Sequence, residues 1–270
     1  MEQLVADLAQ EVRNKYYGKY RGFVADNQDP EGRGRLKLRV PSVLGEAVSG
    51  WALPCLPFGG MPDQGSFWIP EADAQVWVEF EEGQIDHPIW TGTFWQQSGD
   101  VPQEGQKDPP TTRVFKTPSG HVLQFDDEDG AEQFRLHHPQ GAEMTIDEQG
   151  TLALTDAQGA RLTLDAAGNK AVLEDANGNT LTMDPSGTVV EDSNGNRLEM
   201  APSGINVKGT QVVVEGSQVL LGGQGGEPLI KGQSFLTLFA THIHPTGVGP
   251  SGPPIPQGEM ATLSFTTMST

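Results

Sequence analysis

His242 and His244 are the residues of this sequence best suited to chemistry. On an extended strand, residues two apart point to the same side, so both imidazoles would face one way. Neutral imidazole is a frequent metal ligand, and such a pair is half of a coordination sphere. The remaining histidines offer less. His137 and His138 are adjacent and diverge on a strand, while His87 and His121 stand alone and read as structural. Asp126, Asp127, Glu128 and Asp129 form an acid run, and Asp or Asn recurs before glycines farther along. Calcium suits such oxygens, but the Gly-Gly-x-Gly-x-Asp nonapeptide of calcium repeats is absent, and solvated turns are the simpler reading. With no Ser/His/Asp or Cys/His arrangement and no phosphate-binding glycine loop, no catalytic residue is expected.

The bulk numbers narrow the partners. The 270 residues carry a formal net charge of −19, which repels nucleic acid and anionic lipid alike. Cys55 is the only cysteine, so neither a disulfide framework nor a thiolate zinc site is expected. Met1 to Lys15 has no continuous apolar stretch and does not read as a signal peptide, so synthesis in the cytoplasm is expected.

The elements that must position the histidine pair follow from periodicity. Leu4, Val5, Leu8 and Val12 have helical spacing and predict a short helix in residues 1–15. From 16 to 97 short strands alternate with turns. Arg35 to Val40 puts Leu36, Leu38 and Val40 on one face, with further strands expected at Ser66–Ile69, Gln75–Phe80 and Pro88–Trp95. All five tryptophans fall here, bulk enough to fill a small barrel. Residues 98–112 read as a linker.

Residues 113–232 repeat, with glycines at 141, 150, 159, 168, 178, 187, 195 and 204. Short alternating pieces such as Arg161–Asp165 and Thr180–Asp184 lie between Asn/Asp-Gly turns. Strands this short, bearing single Leu, Met or Val side chains inward, bury too little to offset their own ordering. Three copies pooling those faces around one axis would, which predicts a homotrimer. A single-chain β-helix is the rival. In a trimer the pair His242/His244 becomes six nitrogens, a set that suits an octahedral transition metal such as iron(II). Residues 233–270 would form the tip, with a last strand near 259–265.

Several motifs now stand in order: Asp29-Pro30-Glu31-Gly32-Arg33-Gly34-Arg35, Trp51-Ala52-Leu53-Pro54, Trp68-Ile69-Pro70-Glu71, Val76-Trp77-Val78-Glu79-Phe80 and His87-Pro88-Ile89-Trp90. As a set they resemble the OB-fold domain of phage baseplate assembly protein V and the valine-glycine repeat (VgrG) spikes, closely over 16–97. The glycine repeats and Thr241-His242-Ile243-His244-Pro245 extend the resemblance. It implies an all-β fold with a short N-terminal helix, an OB-fold barrel and an elongated intertwined triple-stranded β-helix. It also implies a non-enzymatic, membrane-puncturing spike of a contractile tail or injection system, delivered outside the cell or virion on contraction. The implied partners are two further copies, a separate baseplate hub protein and a PAAR-type tip protein, with transient contact to a target membrane. Similar short spikes carry one iron per trimer on a His-x-His pair. The 15-odd residues of linker leave no room for an inserted lysozyme domain. Two other readings stand beside this one: a secreted β-solenoid calcium adhesin, and an OB-fold nucleic-acid binder using Lys15, Lys19, Arg21, Arg33, Arg35, Lys37 and Arg39.

Overall fold

The computed structural model describes residues 14–220 and 232–255, together with Val12 and Ile230. The chain divides into two units, one up to Lys208 and one from Gly209 onward. The expected N-terminal helix lies outside the described residues apart from its last few positions, and so does the expected strand at 259–265.

The first unit begins with five strands: β1 (Tyr20–Asp26), β2 (Leu36–Arg39), β3 (Val48–Pro54), β4 (Gln75–Phe80) and β5 (Pro88–Thr93). They close into a barrel in the order β1-β2-β3-β5-β4, with β3 and β5 parallel. Strict alternation drives this. Leu36, Leu38 and Val40 are fully buried from one strand, and Val76, Val78 and Phe80 are buried from another. Val24, Ala52 and Trp90 complete the core. Gly22 lets β1 cross closely, since a Cβ there would stand 2.8 Å from Val78 Cγ2 and 3.1 Å from the Arg39 carbonyl.

Two expectations fail in the barrel. Of the five tryptophans only Trp90 fills the core, its indole N–H donating to the Gly34 carbonyl at 3.1 Å. Trp68 and Trp95 are 63% and 62% exposed. Trp77 faces outward because its neighbours Val76 and Val78 take the inward positions. The predicted strand at Ser66–Ile69 does not form either. That segment belongs to the loop between β3 and β4, where the Ser66 amide closes onto the Phe58 carbonyl at 3.1 Å.

Residues 98–112 hold two 3-10 turns, Ser98–Asp100 and Gln103–Gly105. Eleven strands follow, β6 (Thr112–Lys116), β7 (Val122–Asp126), β8 (Gln133–His137), β9 (Glu143–Ile146), β10 (Leu152–Thr155), β11 (Arg161–Asp165), β12 (Lys170–Glu174), β13 (Thr180–Asp184), β14 (Gly187–Glu191), β15 (Arg197–Ala201) and β16 (Gly204–Lys208). Each pairs antiparallel with its sequence neighbours, giving one eleven-stranded sheet. One chain thus forms a succession of hairpins where the resemblance implies an intertwined triple-stranded β-helix. Winding of that kind needs further chains.

The turns explain the glycine spacing. Asp147, Asp156, Asp175 and Asp192 each accept backbone N–H groups two and four residues on, as from Asn177 at 2.8 Å and Asn179 at 2.9 Å for Asp175. Neighbouring turns on one edge are tied together, the Ser193 amide donating to Asn179 Oδ1 at 3.1 Å.

In the second unit, the helix Gly232–Thr241 runs up to the histidine pair, and a two-residue-per-strand hairpin follows, β17 (Pro245–Thr246) with β18 (Gly249–Pro250). The histidines therefore leave a helix end rather than lying along an extended strand. Gln233 to Ala240 is free of Gly and Pro, the residues that most oppose helix.

Candidate assembly face and candidate metal pair

Antiparallel pairing brings apolar residues into register across the whole sheet. Phe115, Leu123, Leu136, Met144, Leu154, Leu162, Leu173, Leu181, Val190, Leu198 and Val207 form one unbroken row. A parallel row on the same face includes Phe125, Phe134, Ile146, Leu152, Leu164, Met183, Met200 and Ile205. The opposite face mixes Arg135, Thr145, Thr163, Thr182 and Glu199 with the apolar Val122, Ala153, Val172 and Val189, and carries ion pairs such as Arg135–Glu143 at 2.6 Å and Arg197–Glu191 at 3.0 Å.

Nothing in the described residues covers the apolar face. Leu154 and Leu173 are 39% and 51% exposed, and Phe115, Leu164, Met183 and Val190 are exposed too. The only buried apolar residues of the sheet are Val122 and Ala153, against nine in the barrel. Trp68 extends the exposed row toward the barrel, stacking on Phe115 with centroids 5.8 Å apart.

The sheet is anchored at its first hairpin by a residue that sequence reasoning assigned to solvent. Asp126 is buried and takes Lys107 Nζ at 2.5 Å, Thr112 Oγ1 at 3.3 Å and Thr111 Oγ1 at 3.3 Å. The Lys107 ammonium holds its carboxyl below the usual carboxylate range, while Asp126 raises Lys107 in return. Within the acid run it differs from its neighbours only in ending strand β7, a weak signal.

The basic residues of the barrel are largely matched by local acids. Lys19 pairs with Glu79 at 2.7 Å, Arg33 with Glu31 at 3.1 Å, Lys37 with Asp26 at 3.7 Å, and Arg39 with Asp73. Arg35 packs over Trp51 and binds Asp29 through Nε and Nη2 at 3.1 and 2.6 Å. Arg21 lies over Trp77 and Phe94. Cations already matched in this way have little field left for a phosphate backbone. The turn carboxylates are likewise occupied by their own turns' N–H groups.

His242 and His244 do converge. Their Nε2 atoms stand 3.2 Å apart. With metal–nitrogen bonds of about 2.0–2.1 Å, that separation subtends roughly 100°, between octahedral and tetrahedral angles. The Nδ1 of His242 lies 2.5 Å from the Phe239 carbonyl, leaving Nε2 as the ligand atom. The pair thus fits two adjacent positions on one transition metal. Among the described residues of one chain, no group of three or more His, Cys, Asp or Glu is arranged around an ion. The other histidines go elsewhere: His137 lies 3.3 Å from Glu143, and His121 packs edge-on against His138.

Residues 20–95 match the family model of the type VI secretion system/phage-baseplate injector OB domain, the span of β1 to β5. The barrel belongs to that family. That match bears on the barrel, the part of the chain it spans. The injector OB domain covers under a third of the sequence, and the sheet and the histidine pair lie beyond it. No curated protein matches the chain. A solved structure of the G-box domain of the microcephaly protein CPAP, for which a role in centriole elongation is suggested, is similar at 12% identity. It covers 70% of this chain and 99% of that one, with a TM-score of 0.27, too low to carry an argument. Among the described residues no helix is long and apolar enough to cross a membrane.

Proposed function

We propose that this chain is one subunit of a homotrimeric spike in a contractile tail or injection machine. The injector OB domains dock on a baseplate hub protein. The eleven-stranded sheets of three copies wind together, apolar rows inward, into a triple-stranded β-structure aimed at the target membrane. Contraction drives this body outward as a mechanical wedge, so stiffness is the requirement and bond chemistry is not.

The observation that carries the reading is the apolar row from Phe115 to Val207, left half exposed by a single chain. Fully burying one exposed Leu, Met, Val or Phe side chain stabilises by about 1.5–3 kcal/mol, and each of the eleven part-buried residues in register would add a share of that on association. Two copies pressed face to face would cover the rows equally well. Three-fold winding is preferred because it also gathers six imidazoles, a full octahedral set for one iron or similar metal at the tip. A PAAR-type protein would cap the end.

Mass in solution tests this. Analytical ultracentrifugation at micromolar concentration is expected to give three chains per particle, and Leu173→Asp, which places a charge in the row, to give dissociated or aggregated material. A wild-type monomer whose sheet unfolds in a sharp cooperative transition would overturn the reading.

A further inference from the structure

We propose that Ser251 and the Phe239 carbonyl clamp His242 and His244 into a chelating pair, so that the bite is set within each chain before assembly. The inference rests on the metal reading above and assigns its positioning residues.

Each imidazole is held by a different device. His242 follows directly on the helix Gly232–Thr241, whose last carbonyls lack helical partners. One of them, Phe239, sits 2.5 Å from His242 Nδ1. A carbonyl only accepts, so the proton is on Nδ1 and Nε2 carries the lone pair. The Phe239 ring, with its centroid 5.1 Å away, packs beside the same imidazole. The carbonyl end of a helix also carries partial negative charge, which favours a cation nearby.

His244 is fixed through its backbone. Its N–H donates to Ser251 Oγ at 2.8 Å, and its carbonyl accepts from the Ser251 N–H at 2.7 Å. The hairpin between them cannot close by itself in the usual way. Its first pair is Pro245 with Pro250, and proline has no N–H to exchange. The two His244–Ser251 bonds replace that missing rung. Without metal, the 3.2 Å approach of the two Nε2 atoms is an N–H···N bond with the proton on His244. Loading requires that proton to move to Nδ1 of His244, leaving both Nε2 atoms as ligands.

The test uses the full chain and Co²⁺ as probe, with affinity read by competition against a chromophoric chelator and geometry by the visible d–d spectrum. Wild type is expected to bind, and Ser251→Ala about 10- to 100-fold more weakly, the usual cost of losing an outer-shell partner. Ser251→Thr, which keeps the hydroxyl, should restore affinity and spectrum. Unchanged particle mass in Ser251→Ala would separate positioning from misfolding. If wild type binds Co²⁺ and Ser251→Ala matches it in affinity and spectrum, the clamp is wrong while the metal reading stands. If wild type takes up no Co²⁺, or His242→Ala binds equally well, the metal reading itself fails and the clamp goes with it.

Discussion

Several carboxylates in this molecule fasten turns and loops, and their protonation should loosen them. The side-chain amide of Asn179, followed by its backbone N–H, holds the Asp175 carboxyl down at about 2. The Arg35 guanidinium holds Asp29, whose side chain is 3% exposed, well below the usual carboxylate range. An unfolded Asp titrates near pH 3.9, so these contributions are complete above about that pH. They disappear as pH falls through the folded values. The melting-temperature gap between wild type and Asp175→Ser should therefore be constant from pH 7 to 5 and close toward pH 2. A gap that widened with acid would contradict the assignment. Asp126→Ala removes the acceptor shared by Lys107, Thr111 and Thr112, and should cost about 1–3 kcal/mol in denaturant titration. That role was not legible beforehand, because four consecutive acids look alike until a strand and a lysine single one out. The closeness of His242 and His244 was expected from a strand period, but no strand produces it. Convergence depends on a helix end and on Ser251, seven positions past His244, neither of which a two-residue period reveals.

At the scale of elements, alternation was the dependable signal. Strand β4 has the bounds that its period predicts, and strands β11 and β13 likewise follow the Leu-Thr-Leu and Leu-Thr-Met pattern. Strand β3, whose Val48-Ser49-Gly50-Trp51 start lacks a period, escaped notice, and aromatic content misled at Ser66–Ile69. The repeating glycines were legible as turns, though not as equals. Gly150 has φ +80° and open space around it, so Gly150→Ala should cost only about 1–2 kcal/mol of left-handed strain. Gly187 has φ +152°, and a Cβ there would meet the Met200 carbonyl at 2.1 Å. Gly187→Ala must push β15 away from β14, so hydrogen exchange in β15 and β16 should accelerate far more than in the Gly150 variant. Equal exchange in the two variants would refute the close approach.

At the scale of the molecule, the barrel and the sheet differ in self-sufficiency. The barrel owns a nine-residue buried cluster, whereas the sheet buries Val122 and Ala153 and little else. A fragment of residues 14–97 is expected to keep its β circular dichroism and melt cooperatively at any concentration. The fragment 98–208 should be ordered only where chains associate, with a melting temperature that rises with concentration. Composition and repeats left two architectures in view, and the chain forms a neighbour-paired antiparallel sheet in place of a single-chain β-helix. The neighbour-only pairing of β6 to β16 has a mechanical corollary. All ladder bonds run in one direction, with strands about 4.8 Å apart. Compression along that direction drives atoms into steep repulsion shared by every rung at once. Tension loads the rungs in series, and the terminal strand peels first. The same stack would resist a push along its length and come apart like a zip-fastener under a pull.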